Sequence, residues 1–300
     1  MGYKSPSALE MAVKQAAKDS PQDTNRAVSG FYFHRLLCRV FEDGNDGFVL
    51  KGGQGMLART IDARTTRDID LLSARTNLDD ALMDLRTLAA KDLGDFIHYD
   101  YAGSKPIKAE DEYRSGLSVR FVPILGTKKM QCISIDLVVD EIPLDGAEWL
   151  APADRMDVAG LEACDYFVYP VVAALADKFC ALRELHGGRV SSRVKDLVDI
   201  AVYATTCNVE GKGLQRRLKH EIAARKLMGI DAFSLPCEWG ESQARQYEKL
   251  TRQTGLPEHL RDMRNAESLA AKLFDPLLSE KRIEVCWNCK TMNWERQAKE

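Results

Sequence analysis

The residues best suited to chemistry lie in two short stretches, KGGQG at 51–55 and RTTRDIDLL at 64–72. Side chains of an extended chain alternate between faces, so Asp68 and Asp70 share one face while Ile69 and Leu71 share the other. Two carboxylates side by side repel each other and contribute nothing to the fold. A divalent cation bridging them removes that cost, and hard oxygen donors select Mg²⁺ or Mn²⁺. A third candidate sits in QCISIDLVVD at 131–140, where Ile133, Ile135, Leu137 and Val139 on one face leave Asp136 on the other. If that strand neighbours the first, Asp136 completes a three-carboxylate cluster able to hold two metals and to deprotonate an attacking hydroxyl. An Asp-x-Asp pair by itself also suits a solvated strand edge. Coupled to Gly52-Gly53 it reads differently, because glycines let backbone N–H groups approach phosphate oxygens and a following helix N-terminus adds its positive dipole end.

Two later helices add charge where the apolar pattern leaves no room for it. From Pro170, the helical spacing of Val171, Leu175, Leu182 and Leu185 makes one apolar stripe, which Lys178 interrupts. A lysine so placed either snorkels along its four-carbon stem or aims its charge at an anion such as a triphosphate. In the next helix Val194, Leu197, Val198 and Ala201 form the core face, and Asp196, Asp199 and Tyr203 line another stripe.

In the order in which they occur, these elements resemble a known family. Lys51-Gly52-Gly53 followed by Arg64-Thr65-Thr66-Arg67-Asp68-Ile69-Asp70 is similar to the first signature of the AbiEii/AbiGii toxins, which belong to the DNA polymerase β-like nucleotidyltransferases. ALADKFCAL and RVKDLVDIA resemble the third and fourth signatures, a lysine on one helix and an Arg-x-Lys-Asp-x-x-Asp run on the next. The resemblance covers about residues 48–203. It implies an α+β fold: a mixed sheet with flanking helices, followed by a helical half that completes the site. It also implies transfer of a nucleoside monophosphate from an NTP to an acceptor hydroxyl with release of pyrophosphate. The implied acceptor is RNA, foremost the tRNA 3′ end, and a cognate antitoxin is the implied partner. By the same likeness Lys51 and Lys178 would contact nucleotide phosphates, with Gly52, Gly53, Gln54, Arg67 and Lys195 around the nucleotide. Asp68 and Asp70 would hold Mg²⁺ or Mn²⁺, Asp196 would act from the helical half, and Asp136 joins the set on the face argument above. At Gln54 many relatives carry Ser or another small residue, so no side-chain hydroxyl is on offer to phosphate there.

The elements that must position these groups can be read coarsely. Ser7 and Glu10 suggest a capping box for a first helix, and a second runs from about Asn25 to Phe41. Strands are expected at 48–53, where the first ends on two glycines, and at 68–72, 95–101, 117–125 and 132–139, with a helix at 78–93 capped by Asn77. Helices dominate from 170 onward, the first ended by Gly187-Gly188. The expected division is 1–165 for the N-terminal helices and nucleotidyltransferase sheet, 166–280 for the helical domain, and 281–300 for a polar tail.

Composition sets further bounds. The net charge of −3 excludes a global basic field, so nucleic-acid contact needs a local patch. GKGLQRRLKHEIAARK at 211–226 offers one: Lys212, Arg216 and Lys219 share a stripe, with Arg217, Arg225 and Lys226 nearby. It is either a solvated helix face or an RNA-backbone contact. No apolar run of membrane-spanning length and no signal-peptide core occur, so a cytosolic protein is expected. The eight cysteines then read as reduced thiols, six of them scattered, mostly inside apolar stretches where cysteine packs as a small hydrophobe. Cys286 and Cys289 form a CxxC that is either two surface thiols or half of a metal knuckle.

Competing functions remain open at this level. The same fold could modify an antibiotic-like small molecule or a protein side chain. Gly52-Gly53-Gln54 also matches the tripeptide of peptide-release factors, and Gly52 to Gly55 matches the GxxG loop of KH RNA-binding modules. Neither of the last two needs Asp68, Asp70, Lys178 or Asp196.

Overall fold

The computed structural model describes residues 2–20, 22–107, 115–139, 146–278 and 284–296. The chain divides into two compact units. The first comprises Met1–Arg59 and Thr66–Tyr169, and the second comprises Thr60–Thr65 and Pro170–Glu300.

The first unit begins with helices α1 (Pro6–Asp19) and α2 (Thr24–Val40). Ser5, not Ser7, caps α1: its side chain accepts from the Ala8 N–H, and Pro6 occupies the first helical position, where its missing N–H costs nothing. Glu10 pairs with Lys14 and Lys128 instead of serving a capping box. There follow β1 (Phe48–Lys51), α3 (Gly52–Arg59), β2 (Asp68–Ser73), α4 (Leu78–Ala89, capped by Asn77), β3 (Ile97–Pro106), β4 (Ser115–Leu125), β5 (Lys128–Lys129), β6 (Ile133–Val139), β7 (Glu148–Leu150) and β8 (Tyr166–Val168). The sheet runs β3-β4-β6-β2-β1-β8-β7, with β5 pairing β4. It is mixed: β2 pairs β6 and β1 pairs β8 in parallel, and the other pairings are antiparallel. This is the α+β mixed-sheet fold expected from the sequence.

Alternation decides which face is core. Ile69, Leu71, Ile133, Ile135 and Leu137 are buried and join Leu9 and Val13 of α1, Leu36, Leu37 and Val40 of α2, and Leu85 of α4 in one cluster. The residues between them, Asp68, Asp70, Ser134 and Asp136, therefore lie on the opposite face.

A buried charge cluster ties α2 to the start of β3. Arg39 donates through Nη2 to Asp95 Oδ1 at 2.7 Å and through Nη1 to Asp95 Oδ2 at 3.1 Å, while Arg35 Nε donates to the same Oδ2 at 2.7 Å. Remaining donors of Arg39 reach the carbonyls of Lys91, Arg35 and Ile97. Desolvation pushes the Asp95 carboxyl up, but the two guanidiniums outweigh it and hold it below the ordinary range.

The second unit holds α5 (Val171–Arg183), a small hairpin β9 (Leu185–His186) and β10 (Arg189–Val190), α6 (Val194–Thr206), β11 (Val209–Glu210), α7 (Gly211–Ala224), α8 (Glu241–Thr251), α9 (Met263–Leu278), β12 (Val285–Asn288) and β13 (Asn293–Arg296). Pro170 is the cap of α5, and Gly187-Gly188, both at positive φ, turn the hairpin instead of ending the helix. The stretch expected to be a polar tail contributes β12 and β13, which extend a three-stranded sheet from β11. Trp287 holds it in place, fully buried with its indole N–H donating to the Ala204 carbonyl at 2.7 Å. No helix among the described residues is long and apolar enough to cross a membrane.

Asp95→Asn leaves two buried guanidiniums without a counter-charge and should cost about 3–5 kcal/mol in urea unfolding. Because the folded carboxyl titrates low, its contribution is present above the unfolded pKa of about 3.9 and fades as pH falls through the folded value. The parent should therefore lose stability on acidification more steeply than the variant. A cost under about 1 kcal/mol, or parallel acid profiles, would contradict this assignment.

Candidate active site

In the first unit the parallel register sets Asp70 of β2 directly opposite Asp136 of β6, and Asp68 opposite Ser134. On its other side Asp70 faces Lys51 of β1. The carboxylates are partly or fully accessible, unlike the apolar residues that alternate with them. Lys51 carries its ammonium 4.2 Å from the centre of the Tyr169 ring, a cation–π contact that orients it.

The Gly-Gly turn is shaped around these groups. Gly52 has φ +60, which an L side chain rarely adopts, and a Cβ there would lie 1.8 Å from Asp70 Oδ2. The carboxylate thus occupies the space a side chain would fill. A Cβ on Gly53 would come within 2.8 Å of Thr66 Cβ. β1 passes straight into α3 at Gly52, so the first amides of α3 lie next to Asp70. Gln54 is buried, with Nε2 3.5 Å from Asp154 Oδ2, so its side chain faces the protein. Arg67 is exposed at the head of β2. Hard oxygen donors from adjacent strands, one of them packed against a glycine turn, suit a divalent cation of the Mg²⁺ class.

In the second unit Lys178 of α5 donates from Nζ to Asp199 Oδ2 at 2.6 Å and to Asp196 Oδ1 at 3.2 Å, both on α6. Arg64 donates to both oxygens of Asp199, at 2.8 and 3.1 Å, and Arg193 Nε donates to Asp196 Oδ2 at 2.5 Å. Both aspartates are buried. Burial works against the Lys178 ammonium, but the attraction of Asp199 and Asp196 outweighs it and raises its pKa. Burial likewise opposes the Asp196 carboxylate, and Lys178 and Arg193 hold its pKa low. The apolar-stripe lysine is therefore ion-paired, not snorkelling. Asp199 and Arg64, to which the sequence reading gave no role of their own, belong to the same cluster. Lys195 is exposed.

The basic patch is smaller than its composition suggests. Lys212, Arg216 and Lys219 are exposed along α7, whereas Arg217 pairs with Glu221 at 2.8 Å. Arg225 is buried among Asp177, Glu184 and Glu221. These two arginines are structural, since each is tied to carboxylates of its own unit. Cys286 and Cys289 belong to the β12 hairpin, and among the described residues no third ligand joins them.

Comparison with known proteins identifies the framework. The family profile described as "Nucleotidyl transferase AbiEii toxin, Type IV TA system" matches residues 35–284. Among solved structures, MenT4, a nucleotidyltransferase toxin from Mycobacterium tuberculosis H37Rv, matches with a TM-score of 0.56 at 15% identity, covering 91% of this chain and 90% of that one. JHP933 from Helicobacter pylori matches at 14% identity over 86% of this chain and 94% of its own, with a TM-score of 0.42. The first likeness supports the fold, and the second is too low to carry an argument. No curated protein sequence matches. With most of its length matched by the family profile, and with the signature residues placed as described, the chain belongs to the AbiEii nucleotidyltransferase toxin family of type IV toxin–antitoxin systems.

Proposed function

We propose that this toxin transfers a nucleoside monophosphate from an NTP to RNA, at the 3′ end of tRNA, and acts in the cytosol under the control of a cognate antitoxin. The observation that carries the reading is the in-register pair Asp70 and Asp136, with Asp68 two residues along the same face and the Asp70 carboxylate packed against Gly52. Asp68, Asp70 and Asp136 would hold Mg²⁺ or Mn²⁺, which supplies charge stabilisation to the phosphates and acidifies the attacking hydroxyl. The acceptor oxygen forms a bond to the α-phosphorus as the bond to pyrophosphate breaks, and the hydroxyl proton passes to a carboxylate, for which Asp136 is our assignment.

Other residues bind and orient the donor. Lys51, in register with Asp70, would lend its charge to a phosphate, and the amides at Gly52 and Gly53 would approach the phosphate oxygens. Gln54 contributes backbone only, and Arg67 and Lys195 are exposed cations for the outer part of the nucleotide. Lys178 acts in our reading as the phosphate-facing cation of the helical unit, with Asp196 as its positioning partner. Asp196 and Asp199 hold Lys178, Arg64 and Arg193 together in one cluster. Lys212, Arg216 and Lys219 supply a stripe for the RNA backbone.

Incubation with total tRNA, Mg²⁺ and each α-³²P-labelled NTP should place label on tRNA from one or two nucleotides, and Asp70→Ala should abolish it. Label on protein or on a small-molecule acceptor alone would move the activity to that class, and equal activity of Asp70→Ala would refute the site. Gly52→Ala displaces the Asp70 carboxylate and should slow transfer about 100-fold while the protein stays folded. A parental rate would show that the close approach is immaterial. Arg216→Glu with Lys219→Glu should weaken tRNA binding and lower its salt slope by about one per residue. An unchanged slope would remove α7 from the interface.

A further inference from the structure

Far along the chain from the carboxylates, the first unit holds a group of three metal-ligating side chains that the reaction does not use. His34, Cys38 and Cys164 bring one donor atom each to within 4.8 Å of one another. His34 and Cys38 stand one turn apart on α2, so both point from the same face, and Cys164 comes from the segment that leads into β8. Cys38 Sγ lies 3.4 Å from His34 Nε2. Tetrahedral zinc, with bonds of about 2.3 Å to sulfur and 2.0 Å to nitrogen, sets its ligands about 3.5–3.8 Å apart. The cluster is therefore close to the spacing that one ion requires.

The surroundings supply what such a site needs beyond its ligands. His34 Nδ1 is 2.5 Å from the Tyr166 hydroxyl. With Nδ1–H donating to that oxygen, Nε2 presents its lone pair to the sulfurs, which is the tautomer and orientation of a metal-bound imidazole. Arg35 Nη1 donates toward Cys38 Sγ at 3.8 Å and is itself fixed by Asp95 and by the Glu162 carbonyl, so a cation sits against the thiolate. His34 and Cys38 are buried, whereas Cys164 is only partly so, which leaves one side open for entry and for a fourth ligand such as water. Two thiols and an imidazole form a soft donor set, unlike the all-oxygen carboxylate face, and the two sites would select different ions.

We propose that His34, Cys38 and Cys164 form a zinc site that ties α2 to the strand β8 beside β1. Binding displaces whatever thiol protons the two sulfurs carry and leaves both as thiolates, with no change of oxidation state. The site stabilises the sheet.

The test is metal analysis of the full-length protein purified under reducing conditions and equilibrated with Zn²⁺, together with Co²⁺ substitution read by absorption. One equivalent of zinc, a thiolate-to-cobalt charge-transfer band and a rise in melting temperature on zinc addition are expected. Cys164→Ser, at the more exposed ligand, should weaken binding by more than the ~10–100-fold that loss of a supporting hydrogen bond causes, and Tyr166→Phe should fall within that range. Cys286→Ser with Cys289→Ser should bind as the parent does. Circular dichroism separates loss of metal from loss of fold, and the cobalt spectrum of the parent stands without any variant. No bound metal at micromolar zinc, metal kept by Cys164→Ser, metal lost with the 286/289 pair, or a Cys38–Cys164 disulfide in place of metal would each overturn the proposal.

Discussion

The candidate site rests on one electrostatic constraint: Asp70 and Asp136 face each other in register on parallel strands. Like charges in that arrangement are destabilising. The neighbouring strand answers part of the repulsion, since Lys51 stands in register on the other side of Asp70. Gly52 answers the steric part by leaving its side-chain space to the carboxylate. The strand order β6-β2-β1 is thus what a divalent cation and a triphosphate would require, with anion, anion and cation on adjacent strands. A sheet selected for stability alone would place apolar or hydrogen-bonding pairs there.

The polar face is tolerable because the other face holds the fold. Ile69, Leu71, Ile135 and Leu137 are almost fully buried against α1, α2 and α4. The Arg35–Arg39–Asp95 cluster fixes α2 to the start of β3, and its donors are nearly all used. The helical unit obeys the same rule with other residues. There Asp196 and Asp199 are buried only because Lys178, Arg64 and Arg193 surround them. In both units the buried aspartates of these clusters lie against arginine or lysine partners.

Much of this was legible from period and spacing. The two-residue alternation of DIDLL and ISIDLVV told which aspartates share a face, and short-range signals such as the Asn77 cap acted as local chemistry dictates. What escaped depends on distance along the chain. Lys178 could be seen to interrupt an apolar stripe, but its partners lie 18 and 21 residues on, and the bidentate grip of Arg64 on Asp199 spans 135. Cys38 and Cys164 read as separate small hydrophobes because only tertiary structure joins them to His34. The tail looked polar because one buried Trp287 against Ala204, not a hydrophobic run, anchors its hairpin. Among turns, Pro6 shifted the first cap to Ser5, and two glycines expected to end a helix made a hairpin instead.

The central claim is that Asp68, Asp70 and Asp136 form one metal-bearing cluster that engages an NTP. Mn²⁺ binding followed by electron paramagnetic resonance, with a non-hydrolysable NTP analogue, tests it without any acceptor. The parent should bind Mn²⁺ more tightly with the analogue than without it, and Asp70→Asn and Asp136→Asn should each lose that binding while remaining folded. Parental binding in Asp136→Asn would remove β6 from the site. Parental binding in both would place the metal elsewhere and contradict the account.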